Sequence, residues 1–237
     1  ITVILDTTPP EVVITSPPDG FLTRESSGTV AGTVDDVSAA VSVNGTPVTN
    51  DNGTFSSTVS FVEETNTINV QAVDDINNVG EASITVIRDM EAPDAPDFND
   101  LTSPTNINRL VITGTAEPNA VVRIIGGSAP VSGLADETGA FEVVIFLNPN
   151  IENTLSLTAT DAAGNVSDPA TTSVVHDAVA PVLAILTPEE GAGFSVTQTD
   201  ASTIPVTVSG MVSDQNGILS LSIDGGPVTV VDEGFET

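Results

Sequence analysis

Aspartate residues recur throughout this chain at the ends of alternating, strand-like segments. One example is the stretch ATDAAGNVS at residues 159–167, in which Asp161 follows the alternating run LSLTA after one intervening residue, Thr160. A carboxylate in this position has two ordinary uses: it accepts hydrogen bonds from the backbone of a turn, or it coordinates a hard cation such as Ca²⁺. The choice between them depends on whether the fold brings several carboxylates together.

Charge and composition exclude several functional classes. The 237 residues include 33 Asp and Glu, only four Arg and no Lys, which gives a net charge of −29. Nucleic acids and anionic membranes need basic surfaces, so we expect neither as a partner. The absence of cysteine removes disulfides and thiolate ligands. The longest apolar runs, near residues 143–147, are far too short to span a membrane, so we expect no membrane insertion in this segment.

The same residues do not predict an enzyme. The single histidine, His176, lies in a predicted linker, and the abundant carboxylates follow the repeat described below, as structural residues would. The glycine pair at residues 126–127 reads as a hairpin turn, and no glycine-rich phosphate loop between a strand and a helix is found.

The apolar pattern predicts an all-β chain. Val, Ile, Thr and Ala dominate, and Gly and Pro interrupt the sequence every eight to twelve residues or so, as in folds of short strands and tight turns. Helical spacing of apolar residues with start and stop signals is missing from the sequence.

An internal repeat organises these predicted strands. The pattern D-x-x-x-P occurs at residues 6–10, 89–93 and 177–181, at intervals of 83 and 88 residues. Within each unit a strand with a central glycine, a hairpin signal and a G-x-F or G-F motif follow in the same order. We expect the phenylalanines of the last motif to fill the cores, namely Phe55, Phe141 and Phe235.

These motifs, together with V-N-G at residues 43–45 and D-A-A-G-N at residues 161–165, resemble bacterial Ig-like domains. The resemblance implies tandem immunoglobulin-like β-sandwich domains, of the kind found in large surface adhesins and in accessory modules of polysaccharide hydrolases. We divide the chain into the last strand of a preceding domain (1–5), domain 1 (6–88), domain 2 (89–176) and a truncated domain 3 (177–237). We expect the natural polypeptide to continue past Thr237.

In such a sandwich, the linker and the loops after alternate strands meet at one end of each domain. Three carboxylates within about 5 Å of one another would repel by roughly 3 kcal/mol per pair at an effective dielectric constant of about 20. A hard dication bound between them would turn this repulsion into attraction, and Ca²⁺ takes oxygen ligands of this kind. The arrangement therefore predicts a Ca²⁺ site at each junction. Mg²⁺ fits less well, Zn²⁺ lacks ligands, and the resemblance supports calcium. The predicted ligands are Asp6, Asp35, Asp36, Asp74, Asp75, Asp89, Glu117, Asp161, Asp177 and Asp214, with Asp136 and Glu137 nearby.

Ordinary turn chemistry is the alternative interpretation of every one of these aspartates. An aspartate before Gly-Asn bonds the backbone two residues on, and an aspartate before a linker proline acts as a local cap. No EF-hand loop is present in the sequence, so the calcium prediction depends on the topology alone.

Three functions remain open from the sequence. The first is a stalk or spacer in an extracellular or cell-surface adhesin or filament, with neighbouring repeats of the same chain as partners and calcium at the junctions. The second is an accessory module, with or without carbohydrate binding, of a secreted polysaccharide-degrading enzyme, although Trp and Tyr are absent. The third is a subunit of an ordered surface layer or fibre, which self-associates.

Overall fold

The structure is a computed structural model that describes residues 6–192, 206–224, 226–231 and 234–236. These residues form strands joined by turns and loops. Twenty-one strands and no helix occur among these residues. The all-β prediction is therefore confirmed. The predicted strand at residues 1–5 lies outside the described part of the chain.

Domain 1 contains two sheets, one of three and one of five strands. The first has the order β1-β3-β6, and the second has the order β2-β8-β7-β4-β5, in which only the short β2 runs parallel to its neighbour, β8. The strands are β1 (Val12–Ser16), β2 (Phe21–Thr23), β3 (Ser27–Val34), β4 (Ala40–Val43), β5 (Thr46–Val48), β6 (Thr54–Ser60), β7 (Glu64–Val73) and β8 (Val79–Arg88).

Period-two alternation forms the core of domain 1. In β7 the side chains of Ile68, Val70 and Ala72 are completely buried, and the residues between them are exposed. Because successive side chains of a strand point to opposite faces, such a strand covers a core with one face and meets water with the other. The buried cluster draws on both sheets and includes Val30, Val41, Phe55, Ile68, Ile84 and Val86.

Domain 2 repeats this arrangement around a separate core. Its sheets have the orders β13-β10-β9 and β12-β11-β14-β15. The strands are β9 (Asp97–Phe98), β10 (Arg109–Thr115), β11 (Val121–Ile125), β12 (Val131–Leu134), β13 (Ala140–Phe146), β14 (Glu152–Thr160) and β15 (Ala170–Val175). Its core cluster includes Ile112, Val122, Phe141, Leu155 and Leu157.

Domain 3 contributes a four-stranded sheet, β16-β17-β21-β20, and the hairpin β18-β19. These strands are β16 (Val182–Thr187), β17 (Ser209–Ser213), β18 (Leu221–Ile223), β19 (Gly226–Val228), β20 (Val230–Val231) and β21 (Gly234–Glu236). The whole of β16 is exposed. In the part of the chain that is described, domain 3 has no counterpart of β7 and β8.

The recurring phenylalanine is a core residue in both complete domains. Phe55 and Phe141 are 3% and 4% exposed, and each lies opposite the central glycine of the neighbouring strand, Gly32 and Gly114 respectively. The prediction is confirmed for these two residues. The side chain of Phe235 lies outside the described part of the chain.

The last strand of domain 1 determines where the next domain begins. β8 leaves a turn beside the linker that enters domain 1, since Asn78 contacts the carbonyl oxygen of Asp6. The ten residues of β8, at about 3.3 Å per residue, carry the chain roughly 30 Å to the opposite end. The next linker starts there, at Asp89.

Candidate functional site

The carboxylate of Asp161 organises the turn that follows β14. Its Oδ1 accepts hydrogen bonds from the backbone N–H groups of Gly164 (2.7 Å) and Asn165 (2.8 Å). Its Oδ2 accepts a third bond, from the side-chain amide of Asn165 at 2.9 Å. The same amide nitrogen also donates to the carbonyl oxygen of Asp89, at 3.0 Å. Asp161 therefore holds a turn whose asparagine is bonded to the linker at the start of the same domain.

The turn after β7 repeats this geometry in domain 1. Asp74 Oδ1 accepts from the backbone of Ile76 (3.0 Å) and Asn78 (2.8 Å), and Oδ2 accepts from the Asn78 amide at 2.7 Å. The Asn78 amide also lies 3.5 Å from the carbonyl oxygen of Asp6, a longer contact than its counterpart. A D-x-x-x-N pair, together with the linker carbonyl, is thus a repeated structural unit.

Each linker aspartate caps its own backbone two residues further on. The Oδ1 atoms of Asp6, Asp89 and Asp177 accept hydrogen bonds from residues Thr8, Glu91 and Val179 at 3.0, 2.9 and 2.9 Å. This is the local turn chemistry that the sequence left open as the alternative to metal binding.

Hydrogen bonds connect domains 1 and 2 directly. The backbone N–H of Asp89 donates to Thr23 at the end of β2 (3.0 Å), and the N–H of Arg24 donates to Ala163 in the Asp161 turn (3.2 Å). Asp89 is therefore bound to domain 1 through its N–H and to domain 2 through its carbonyl oxygen.

The second junction contains a cleft in which two predicted ligands meet. Asp177 and Asp214 interact through their carboxylates, and the Asn216 amide donates to Asp177 Oδ2. Thr105 of domain 2 also contributes, since its carbonyl oxygen accepts from the N–H of Asp177 at 2.8 Å. The cleft has a volume of about 730 Å³ and is lined by these four residues, Asn106, and further residues of both domains.

The remaining predicted ligands lie at the expected end of their domains but turn to separate partners. Asp35 Oδ1 accepts from the N–H of Glu11, near the entering linker, and Asp36 Oδ1 accepts from the backbone and the hydroxyl of Ser38. Asp36 is also close enough to Asp74 for their charges to interact. Asp75 and Glu117 are exposed, and Asp136 caps Thr138 and Ala140.

Within the described residues, no three His, Asp or Glu side chains form a group that could hold a metal ion. The donor sets differ between junctions, however. The oxygens of Asp74 and Asp161 accept three N–H bonds each, whereas Asp177 accepts two, from Val179 and the Asn216 amide, and Asp214 accepts one, from the Asn216 backbone. Among the described residues, the carboxylates of the second junction thus have fewer N–H partners than those of the two turns.

Hydrogen bonds perturb the acidity of the turn aspartates. Partial burial of Asp161 alone would raise its pKa, but the hydrogen bonds from Asn165 and Gly164 to the ionised carboxylate outweigh it and hold the pKa below its ordinary value. The pKa of Asp74 is lowered in the same way, against burial, by Asn78 and Ile76. The pKa of Asp177 is lowered chiefly by the backbone of Val179 and the amide of Asn216.

We expect the stabilising effect of Asp161 to depend on pH. Because its pKa is lower in the folded state, ionised Asp161 stabilises domain 2 above the unfolded-state pKa of about 3.9, and this stabilisation is lost as the pH falls through the folded-state value. Asp161→Ala should therefore lower the melting temperature of domain 2 at pH 7, and the difference from the unchanged protein should shrink in strong acid.

Calorimetry between pH 7 and pH 2 measures this difference. Glu137→Ala, in a neighbouring turn, removes an exposed carboxylate and serves as the control. If Asp161→Ala lowered the melting temperature by the same amount at every pH, the stabilising role of the ionised Asp161 carboxylate would be contradicted.

Sequence reasoning missed the two asparagines, Asn78 and Asn165, that join the turns to the linkers. The signal was present as the recurring spacing between Asp74 and Asn78 and between Asp161 and Asn165, but the spacing alone does not show that the amides reach the linkers. It also missed Thr23 and Thr105, whose carbonyl oxygens receive the N–H groups of the linker aspartates Asp89 and Asp177.

Comparison with known families agrees with this architecture. The family described as "Bacterial Ig domain" matches residues 92–177, and the family described as "Glucodextranase, domain B" matches residues 10–90. Residues 92–177 are thus similar to bacterial Ig domains. These matches confirm the resemblance to bacterial Ig-like domains that was drawn from the sequence. Comparison with curated protein sequences gives no significant match.

The solved structures to which this chain is similar include three from bacteria. Fibronectin(III)-like modules of Clostridium thermocellum CbhA are 17% identical over 70% of this chain and 95% of theirs, with a TM-score of 0.49. A Ca²⁺-stabilized adhesin of an Antarctic bacterium is 21% identical over 98% of this chain and 66% of its own, with a TM-score of 0.41. A 1.5-MDa bacterial ice-binding adhesin is 18% identical over 98% and 87%, with a TM-score of 0.36.

A search of the described residues for membrane-spanning helices found no helix with the necessary length and hydropathy.

Proposed function

We propose that this chain is a spacer segment of a secreted or cell-surface bacterial protein, such as the stalk of an adhesin or a filament. The observation that carries the proposal is the path of the chain. The entering linker lies at one end of domain 1, and β8 delivers the next linker to the other end, so that successive domains are joined end to end. Such a path extends the molecule with every repeat.

The surface of the chain suits this role. Thirty-three acidic residues against four arginines give a strongly negative surface, and the one ion pair among the described residues, Arg24–Glu25, is exposed and 3.8 Å long. A high net charge of one sign keeps an extended protein soluble and discourages association. Neighbouring repeats in the same chain are its proposed partners, and self-association in a fibre would have to overcome this repulsion.

Calcium is proposed as the stabilising ion of the junctions, with its strongest basis at the second one. Asp177, Asp214 and Asn216 would supply carboxylate and amide oxygens there, and Asn106 lies on the domain 2 side of the same cleft. A cation shared between them would offset the repulsion of the two carboxylates and link the two domains. Asp161 at the first junction accepts three N–H bonds, more than Asp177 or Asp214, and is therefore the weaker ligand for the same ion.

We expect Ca²⁺ to raise the melting temperature of the protein and EDTA to lower it. A site at a hundredfold excess of ligand over Kd stabilises by about 2.7 kcal/mol. Asp214→Asn should remove most of this response, while Asp100→Asn, the same charge change in an exposed loop, should retain it. An identical melting temperature in Ca²⁺ and EDTA at low ionic strength would refute calcium stabilisation and leave a spacer of metal-independent domains.

An accessory module of a secreted polysaccharide-degrading enzyme is the second candidate. It is favoured by the match of residues 10–90 to glucodextranase domain B. A glycan array distinguishes the two: saturable binding of one polysaccharide class by this chain supports the accessory module, and its absence together with an extended shape in small-angle X-ray scattering supports the spacer.

A further inference from the structure

We propose that the angle between domains 1 and 2 is fixed by hydrogen bonds through Asn165 and Asp89, so that this junction keeps its geometry without a divalent cation. The proposal deepens the spacer function, because it names what makes one junction of the spacer stiff. The relevant contacts are those of the Asn165 side chain and of the backbone at Thr23, Arg24, Asp89 and Ala163.

The linker residue Asp89 is held from both sides. Its N–H donates to Thr23 of domain 1 at 3.0 Å, and its carbonyl oxygen accepts from the Asn165 amide of domain 2 at 3.0 Å. Its side chain caps the N–H of Glu91 at 2.9 Å, which fixes the direction of the chain as it enters domain 2. A rotation about the φ or ψ angle of Asp89 would keep these two backbone bonds, but it would separate the Arg24 N–H of domain 1 from the Ala163 carbonyl oxygen of domain 2.

Asn165 is suited to this role by its burial. Its side chain is 7% exposed, and its amide nitrogen has two hydrogens, which are donated to Asp161 Oδ2 (2.9 Å) and to the carbonyl oxygen of Asp89 (3.0 Å). A buried donor that loses its partner incurs a desolvation penalty, so separating the linker from the turn is unfavourable. The two hydrogens of the amide thus bridge the Asp161 carboxylate and the Asp89 carbonyl oxygen without a cation between them.

A second contact ties the turn itself to domain 1. The N–H of Arg24 donates to the carbonyl oxygen of Ala163 at 3.2 Å, one residue before Gly164. Gly164 has a φ of +96°, and a Cβ added there would lie 3.9 Å from Cδ of the Arg24 side chain. The turn that carries Asn165 therefore packs against domain 1 and binds the linker at the same time.

Domain 1 provides a matched internal control. Asn78 occupies the same position in the turn after β7 and donates to Asp74 Oδ2, but its linker partner is Asp6, at the end of domain 1 remote from Asp89. Replacing Asn78 therefore removes the same type of side chain without touching the junction between domains 1 and 2.

Pulsed electron–electron double resonance measures the junction directly. The chain has no cysteine, so Thr58→Cys on β6 and Ser132→Cys on β12, both exposed, place one spin label on each domain. We expect a narrow distance distribution that is the same in Ca²⁺ and in EDTA. Asn165→Ala should broaden it under both conditions, and Asn78→Ala should leave it narrow.

Two outcomes would overturn the proposal. One is a distribution of the unchanged junction that broadens in EDTA, which would assign the stiffness to a cation. The other is a distribution that stays narrow in Asn165→Ala. If Asn165→Ala fails to fold, Asn165→Asp retains the shape of the side chain but loses the donor, and it should give the same broadening. The calcium response of Asp214 is measured at the other junction, so a failure of calcium stabilisation leaves this result unaffected.

Discussion

Phe141→Ala is expected to lower the free energy of unfolding of domain 2 by about 3–5 kcal/mol. Phe141 is 4% exposed on β13 and belongs to the core cluster shared by both sheets of the domain. Its removal leaves a cavity that the strands cannot close without breaking their pairing, so the lost transfer free energy and the cavity both contribute. A domain of this size shifts its melting temperature by roughly 4–8 °C per kcal/mol.

Calorimetry of the whole chain resolves the effect by domain. The cores of domains 1 and 2 are separate clusters, so the domain 2 transition should move to lower temperature and the domain 1 transition should stay in place. Phe146→Ala is the control, because Phe146 lies on the same strand and is 49% exposed. Equal losses from the two substitutions would show that Phe141 is not the core residue that the repeat predicts.

The sequence was sufficient for the all-β fold class and for the alternating core strands because alternation and turn chemistry are local signals. The buried residues of β7 and β14 alternate with exposed ones, and the G-x-F motifs place Phe55 and Phe141 in corresponding positions. Alternating burial and the core phenylalanine are enough to explain why domains 1 and 2 each form a sandwich.

In domain 1 several of the acidic residues lie at the end where the linker enters. Asp35 bonds to Glu11 beside the linker, and Asp36 lies near Asp74. The direction in which each carboxylate points could not be predicted from the sequence, however, because it depends on which backbone N–H groups the turn exposes. In Asp74 and Asp161 those N–H groups are the nearest available partners, and they satisfy the oxygens locally.

The hydrogen-bond partners of two asparagines at the other end of the domains were likewise not predictable from the sequence. Buried Asn153 exchanges hydrogen bonds with Asn148 across the loop before β14, and Asn66 does the same with Val62 before β7. Both occur as N-T two residues before a core residue, Leu155 or Ile68. In a chain rich in Asn and Thr, such a pair has no distinctive signal until the loop geometry is known.

The many carboxylates of this chain are thus compatible with folding despite the lack of lysine. Aspartates at the loop ends are compensated by backbone N–H groups and amides, which carry no net charge and leave the surface negative. A cation would add stability where two carboxylates remain opposite each other, as at Asp177 and Asp214. We therefore propose that hydrogen bonds through Asn165 stiffen the junction between domains 1 and 2, and that Ca²⁺ stiffens the junction between domains 2 and 3.

Gly114→Ala is expected to destabilise domain 2 by about 1–3 kcal/mol, although alanine is ordinarily the better residue in a strand interior. A Cβ at Gly114 would overlap the carbonyl oxygen of Asp97 and would lie 2.9 Å from Cζ of Phe141. The overlap with a backbone atom cannot be relieved by a change of rotamer, so β9 would have to move away from β10.

The equivalent substitution in domain 1, Gly32→Ala, tests whether the loss of stability is confined to the domain that carries the glycine. Its Cβ would overlap the carbonyl oxygen of Val13 and approach Phe55, so it should lower the domain 1 transition and leave domain 2 unchanged. Thr115→Ala, at an exposed position next to Gly114, should change neither transition by more than about 0.5 kcal/mol. Because strand propensity and a less flexible unfolded chain both favour alanine, a gain in stability for either glycine variant would mean that these strands do not pack as closely as the repeated glycine and phenylalanine indicate.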